Sequence, residues 1–385
     1  MRNFGTLYGY ELRKILCRKL TVIVLAAMFL LNLGLNAAEF VASSKLVSDA
    51  DSGLVGRELD DTLLEEMRQG MEVQTATGEN GEIIITSAKV IDPAYSHLWK
   101  YLKMIGGNDS KAYNMTAEKL TDIFDGVIRS AMDSQKLTDS ERAYWDALRA
   151  EQPTLPQYGR EGGWGNALVN LYMMNFLIVI TIAATLSGIF SDEYTLRTDA
   201  LVFSSNNGKK RLSRVKLLAG MTVGFLEAVF MIAESSAIQF IVYGGVDFKT
   251  SVQFYYGPSA MDLTAGQSLL ICVGILLLMS LLYSALTMYL SQLVRNATIP
   301  MGAMALLLIL SMLNPPERFR LLSQLSGYMP ATFPGNWTFT DYRLVTLFGH
   351  PFTILQMMPI LYVLLTALLA VALCRNYRRV QIGGR

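Results

Sequence analysis

Residues 191–216, SDEYTLRTDALVFSSNNGKKRLSRVK, lie between two long apolar runs. Three acids open the stretch (Asp192, Glu193, Asp199), and a basic cluster closes it (Lys209, Lys210, Arg211, Arg214, Lys216). Between them Leu196, Ala200 and Phe203 recur at the spacing of a short helix with one apolar stripe. A segment so charged is excluded from hydrocarbon, and its excess of lysine and arginine places it on the cytoplasmic side of a membrane. It reads as the docking surface for a cytosolic partner.

The composition agrees with a membrane chain. Of 385 residues, 52% are hydrophobic and only 17% charged, and the net charge of +1 hides a strong segregation of charges along the sequence. No basic stretch combines with exposed aromatics in a soluble domain, so nucleic acid is not an expected partner. Cys17, Cys272 and Cys374 are far apart and lie in or beside apolar runs, which argues against a disulfide framework or a thiolate metal site. The only two histidines, His97 and His350, leave little room for metal or triad chemistry, and neither HExxH nor G-x-S-x-G occurs. Gly208-Lys209-Lys210 lacks the glycine spacing and the following Ser/Thr of a phosphate-binding loop. The chain is therefore not expected to be an enzyme or to bind a metal or cofactor itself.

Working outward, the spacing predicts an all-α polytopic protein of six transmembrane helices with a mainly helical extracytoplasmic insert. Residues 1–19 form an amphipathic interfacial helix, with Phe4, Leu7, Tyr8, Leu12, Ile15 and Leu16 near one face and the bases mostly opposite. The first span covers 20–38; a cleaved signal peptide is the weaker reading, because the basic region is long and Asn36-Ala37-Ala38 is a poor cleavage site. The insert covers 39–166, with a helix over 54–68, a strand over 82–90 entered by a turn at 78–81, a helix capped by Asp92 with Pro93, a helix starting at Thr116, and a capping box Thr138-x-x-Glu141. Further spans follow at 167–190, 217–243, 268–291, 299–313 and 352–374. The fifth is short and begins with Pro300. The loop 314–351 contains an interfacial helix near 318–325, and its Trp337, Phe339 and Tyr342 suit the headgroup region. Bases concentrate in the N-terminus, the 191–216 loop, Arg295 and the tail 375–385, so both termini are expected in the cytoplasm of a bacterial cell.

Glu227 and Glu234 stand inside the third span. Each charge at mid-bilayer costs about 2.5–3.5 kcal/mol, so neither is expected to face lipid. Seven residues is close to two helical turns, which puts both carboxyls, with Ser235 beside them, on one face. The face reads either as the lining of a substrate path or subunit seam, or as hydrogen-bonded acids that fix helix packing. Gly220 and Gly224 permit close approach of a neighbouring helix.

The pattern resembles the permease subunits of type-2 ATP-binding-cassette (ABC) exporters. The resemblance covers the six-span plan, Tyr10-Glu11-Leu12-Arg13-Lys14 before the first span, the insert, and most specifically the places of Phe190, Glu193, Thr198, Leu201, Ser204-Ser205, Arg211 and Lys216. Arg197 stands where the family commonly has glycine, and Asn206 where it has proline. The resemblance implies a second permease copy, as homodimer or heterodimer, and cytosolic ABC ATPase subunits that hold ATP-Mg. On this reading Leu196, Leu201 and Phe203 seat in a groove of the ATPase, and Glu193, Arg197, Thr198, Asp199 and Arg211 orient the contact. Transport direction comes from the resemblance alone; the wide outer region and apolar bundle suit an amphiphile, such as a peptide or lipid-like molecule, and small ions stay open as substrates.

Two other classes remain open. A membrane-anchored sensor would bind its ligand in the insert, yet the chain offers no cytosolic segment large enough for a signalling domain. An ion-coupled secondary transporter would use Glu227 and Glu234 as proton carriers, and no inverted repeat is visible.

Overall fold

A computed structural model describes residues 2–43, 53–77, 83–195, 208–294, 296–313, 315, 319–329 and 333–379. The described structure is mostly helical (71%). In order, its described helices are α1 (Arg2–Leu16), α2 (Lys19–Ser43), α3 (Asp61–Gln69), α4 (Ser96–Gly106), α5 (Asp109–Tyr113), α6 (Ala117–Ser134), α7 (Asp139–Ala150), α8 (Gly163–Leu186), α9 (Ser191–Thr195), α10 (Gly208–Tyr243), α11 (Gln253–Tyr256), α12 (Ala265–Leu293), α13 (Thr298–Ser311), α14 (Arg320–Ser326) and α15 (Ile354–Arg379). Two short antiparallel pairs accompany the helices: β1 (Met71–Thr77) with β2 (Ile83–Val90), and β3 (Val345–Leu347) with β4 (His350–Phe352).

Five helical runs among the described residues are long and apolar enough to cross a membrane: Lys19–Ala37, Gly163–Glu193, Lys210–Tyr243, Ala265–Leu293 and Ile354–Arg379. In the most apolar 18-residue window of the Gly163–Glu193 run 83% of the residues are buried, so it forms the axis of the bundle, whereas the share is 17% in each of the first and last runs, which lie at the periphery. α13 has 14 residues, about 21 Å at 1.5 Å per residue, against a hydrocarbon layer of about 30 Å. It packs against α8 and α12. α10 begins nine residues before the predicted span, so 208–216 is helix rather than loop, and α15 likewise runs five residues into the predicted tail. Where α10 meets α12, a Cβ on Gly220 would stand 2.3 Å from Met288 Sδ and one on Gly224 2.0 Å from Ser284 Oγ, which is the close approach expected of those glycines.

The insert has a core of its own, built on Leu63, Leu64, Leu98, Leu102, Leu120 and Phe124. α6 crosses between cores: Leu120 and Phe124 serve the insert, while Ile128 and Met132 belong to the bundle core with Trp145 of α7. Thr116 caps α6, and Thr138 with Glu141 forms the capping box of α7. The predicted helix over 54–68 starts later, at Asp61, because Asp60 is extended and its carboxylate accepts the Leu63 N–H as N-cap. β2 matches the predicted strand apart from Glu82, which lies outside the described residues; its partner β1 was not expected.

The loop before α15 also differs from expectation. Trp337 is half-buried, but Phe339 and Tyr342 are fully buried, packed on Tyr256 and Trp145, and do not face headgroups. Trp145 Nε1 donates to the Tyr342 carbonyl at 2.6 Å, and Gln135 bonds the backbone of both Thr340 and Tyr342. Arg320 of α14 pairs with Glu141, whose carboxylate also accepts from the Leu344 N–H. The insert is thereby clamped to the loop that precedes α15.

Candidate functional site

Two polar clusters stand out in the helical bundle. The first lies at the end away from the insert, where α8 gives way through residues 187–190 to α9. Lys216 Nζ is 2.5 Å from Glu193 Oε1, donates to the Ile189 carbonyl at 2.8 Å, and stands 5.2 Å from the centre of the Phe190 ring. Tyr377 of α15 donates to Glu193 Oε2 at 2.9 Å, and its ring meets Phe190 edge-on. Ser291 Oγ of α12 accepts the Phe190 and Ser191 N–H groups at 3.3 Å each. Lys216, Phe190 and Tyr377 are fully buried. A buried ion pair survives only where further hydrogen bonds complete it, and here both partners have them.

α1 and α2 join the same end. Arg18, in the bend between them, pairs with Asp192 at 3.3 Å, and its guanidinium fills the space above Gly188, where a Cβ would stand 2.1 Å away. Tyr8 of α1 donates to Thr222 of α10 at 2.9 Å.

Of the residues predicted to engage a partner, Leu196, Arg197, Thr198, Asp199, Leu201 and Phe203 lie outside the described residues. Arg211 is exposed on α10. Glu193 is only 4% exposed, and both of its oxygens are engaged within the chain, so it organises the base of the segment instead of presenting a surface charge. Lys216 marked the end of the motif but was not among the predicted site residues, and Tyr377 and Ser291 carried no sequence signal. They are brought in by the packing of α12 on α8 and of α15 on α10 and α12.

The second cluster lies between α2, α8 and α10. Gln239 Nε2 donates to Asn36 Oδ1 at 2.9 Å, Asn36 Nδ2 to Asn32 Oδ1 at 2.9 Å, and Asn32 Nδ2 to Glu234 Oε2 at 2.9 Å. Ser235 and Asn170 also reach Asn36 Oδ1, each at 3.5 Å. Two turns closer to the start of α10, Glu227 Oε2 accepts from Thr185 of α8 at 3.1 Å. The other carboxylate oxygen of each glutamate is buried and has no hydrogen-bond partner. Glu227, Glu234 and Ser235 thus share one face of α10 as expected. The amides that hold Glu234 were missed, although Asn32 and Asn36, four residues apart in an apolar helix, display the spacing of one helical stripe.

Among the described residues no group of three or more His, Cys, Asp or Glu side chains is placed to hold a metal ion. Comparison of the chain with known protein families, characterised proteins and solved structures finds no match.

Proposed function

We propose that this chain is the membrane-spanning permease subunit of an ABC-type exporter, paired with a second permease and driven by separate cytosolic ATPase subunits that hold ATP-Mg. The observation that carries the proposal is the buried knot around Glu193 and Lys216. Glu193 and Lys216 flank residues 196–207 in the sequence, and the knot joins α9, α10, α12 and α15. A push on the segment is therefore transmitted to several long helices at once rather than absorbed by a loose loop.

Charge and chain path support the topology. Arg13, Lys14, Lys19, Lys210, Arg211, Arg214, Arg375, Arg378 and Arg379 are exposed, and all belong to helix ends gathered at the knot. That end is assigned to the cytoplasm and the insert to the outside. Ser291 touches the knot while Arg320 touches Glu141 of the insert, which supports reading α13, between them in sequence, as the fifth of six crossings.

Deleting residues 195–205 is expected to abolish co-purification with the ATPase subunits while leaving membrane insertion intact. Undiminished co-purification rejects the docking role. Labelling of Lys209 and Lys210 from the external face alone rejects the topology.

One feature favours the sensor reading. A groove of about 560 Å³ in the insert is lined by Ile105, Met115 and Ile123 with Lys111, Lys119 and Asp122 at its polar side. A ligand that binds the isolated membrane protein there, with no ATPase captured from the native host, would select it.

A further inference from the structure

The geometry points to Glu234 as the anchor for the ammonium group of a cationic amphiphile, held between α2 and α10 with its apolar tail along the exposed face of α10. The assignment rests on the permease reading and names the substrate class. Its first support is direction. The three amides Gln239, Asn36 and Asn32 each donate towards the next, and the series ends on Glu234 Oε2. Among the described residues Asn32 Nδ2 is the one donor that reaches this carboxyl group, and the amides behind it fix its orientation. The second oxygen is buried without a partner, and no lysine, arginine or histidine among the described residues pairs with this group.

Asn32 and Asn36 are themselves almost fully buried, so this is a built polar site and not a chance surface contact. Glu227, 5% exposed and with its own unpartnered oxygen, repeats the feature two turns along the same face and supplies a second station. A transition-metal ion is the poorer occupant, since no group of three His, Cys, Asp or Glu side chains converges among the described residues. An amphiphile is favoured by the surroundings. Glu234 is half-buried, and Phe230, Ala233, Ala237 and Ile241 beside it are exposed and apolar, with the Phe29 ring of α2 centred 5.9 Å from that of Phe230 and tilted by 36°. A tail can lie there while the head group reaches the carboxylate.

The full-length chain in phosphatidylcholine nanodiscs is titrated with dodecylamine tagged with a fluorophore at the far end of its tail, against the equally tagged carboxylate and alcohol. After subtraction of empty discs, the amine is expected to bind saturably, at least tenfold tighter than either control. Glu234→Gln should weaken it at least tenfold, and Glu234→Asp should retain most of it. Equal binding of all three probes, or binding unchanged by Glu234→Gln, overturns the assignment. A measurement on the unsubstituted chain guards against misfolding of the variant. Labelling of Glu234 by dicyclohexylcarbodiimide, read by peptide mass spectrometry, should slow at least tenfold with dodecylamine and not with sodium chloride. Labelling indifferent to the amine, or slowed equally by sodium, also overturns it. No readout involves ATP: a chain that captures ATPase subunits yet binds no amine loses this site and keeps the permease reading. A chain that binds the amine and captures no ATPase does the reverse.

Discussion

Lys216 and Glu193, twenty-three positions apart in sequence, form a buried ion pair at 2.5 Å. Tyr377 supplies a further hydrogen bond to the carboxylate, and the Ile189 carbonyl accepts one from the ammonium. Removing one member leaves an uncompensated charge in a dry site, whereas removing both leaves none. Lys216→Met alone should therefore cost about 3–5 kcal/mol, and the double substitution Lys216→Met with Glu193→Leu should recover most of that loss. Reversible unfolding in mixed detergent–denaturant micelles reads both, and a strictly additive double variant contradicts the pairing.

Glu141 makes the clamp between insert and loop sensitive to acid. Burial by itself would push its carboxyl up, but the Arg320 guanidinium, the Thr138 and Leu344 amides and the Thr138 hydroxyl outweigh burial and hold it down at about 2. A depressed folded value contributes stability that is complete above the ordinary carboxylate range near 4.5 and is lost as pH falls towards 2. The difference amounts to roughly 3 kcal/mol at neutral pH. Stability measured from pH 6 down to pH 2 should fall more steeply in the unsubstituted protein than in Glu141→Gln. Parallel curves would show that the clamp is not charge-dependent.

Gly224 faces Ser284 across the α10–α12 contact, and its missing Cβ would sit 2.0 Å from Ser284 Oγ but 3.3 Å or more from every other neighbour outside its own helix turn. Ser284 Oγ donates to the Ser280 carbonyl at 2.7 Å, so turning it aside breaks a hydrogen bond. Gly224→Ala should destabilise by about 1–2 kcal/mol in the native background and by almost nothing when Ser284→Ala is present. Thermal unfolding of the four proteins completes the cycle.

Asp247, in the loop after α10, caps the start of α8. Its carboxylate accepts the Trp164 and Gly165 N–H groups at 3.1 and 2.8 Å and the Tyr255 hydroxyl at 2.8 Å. An anion at a helix N-terminus also meets the positive end of the helix dipole. Asp247→Asn turns a donor towards donors and should cost about 1–3 kcal/mol. An unchanged melting temperature would exclude the cap as a stabilising feature.

Much of the bundle was legible one element at a time. Apolar runs of about twenty residues announce the long helices around α2, α8, α10, α12 and α15, and Thr138-x-x-Glu141 announces the start of α7, because length, hydropathy and capping are local properties. The face shared by Glu227, Glu234 and Ser235 was legible for the same reason: helical periodicity alone sets it. β1 was not, since the apolar alternation of MEVQTAT stops after Met71 and Val73 and its last four residues are exposed, so its pairing with β2 is what extends it as a strand.

The amino-acid sequence by itself determined where apolar helices form and which of their residues lie on one side, because backbone hydrogen bonding and hydrophobic burial act within a few turns. The tertiary structure decided which charges are spent inside the protein. Glu193 looked like a surface acid until α12 and α15 closed over it with Lys216, Ser291 and Tyr377. Asn32, Asn36 and Gln239 became one directed series only when α2 was laid against α10. Partners so distant along the chain are set by packing, and no local pattern encodes them.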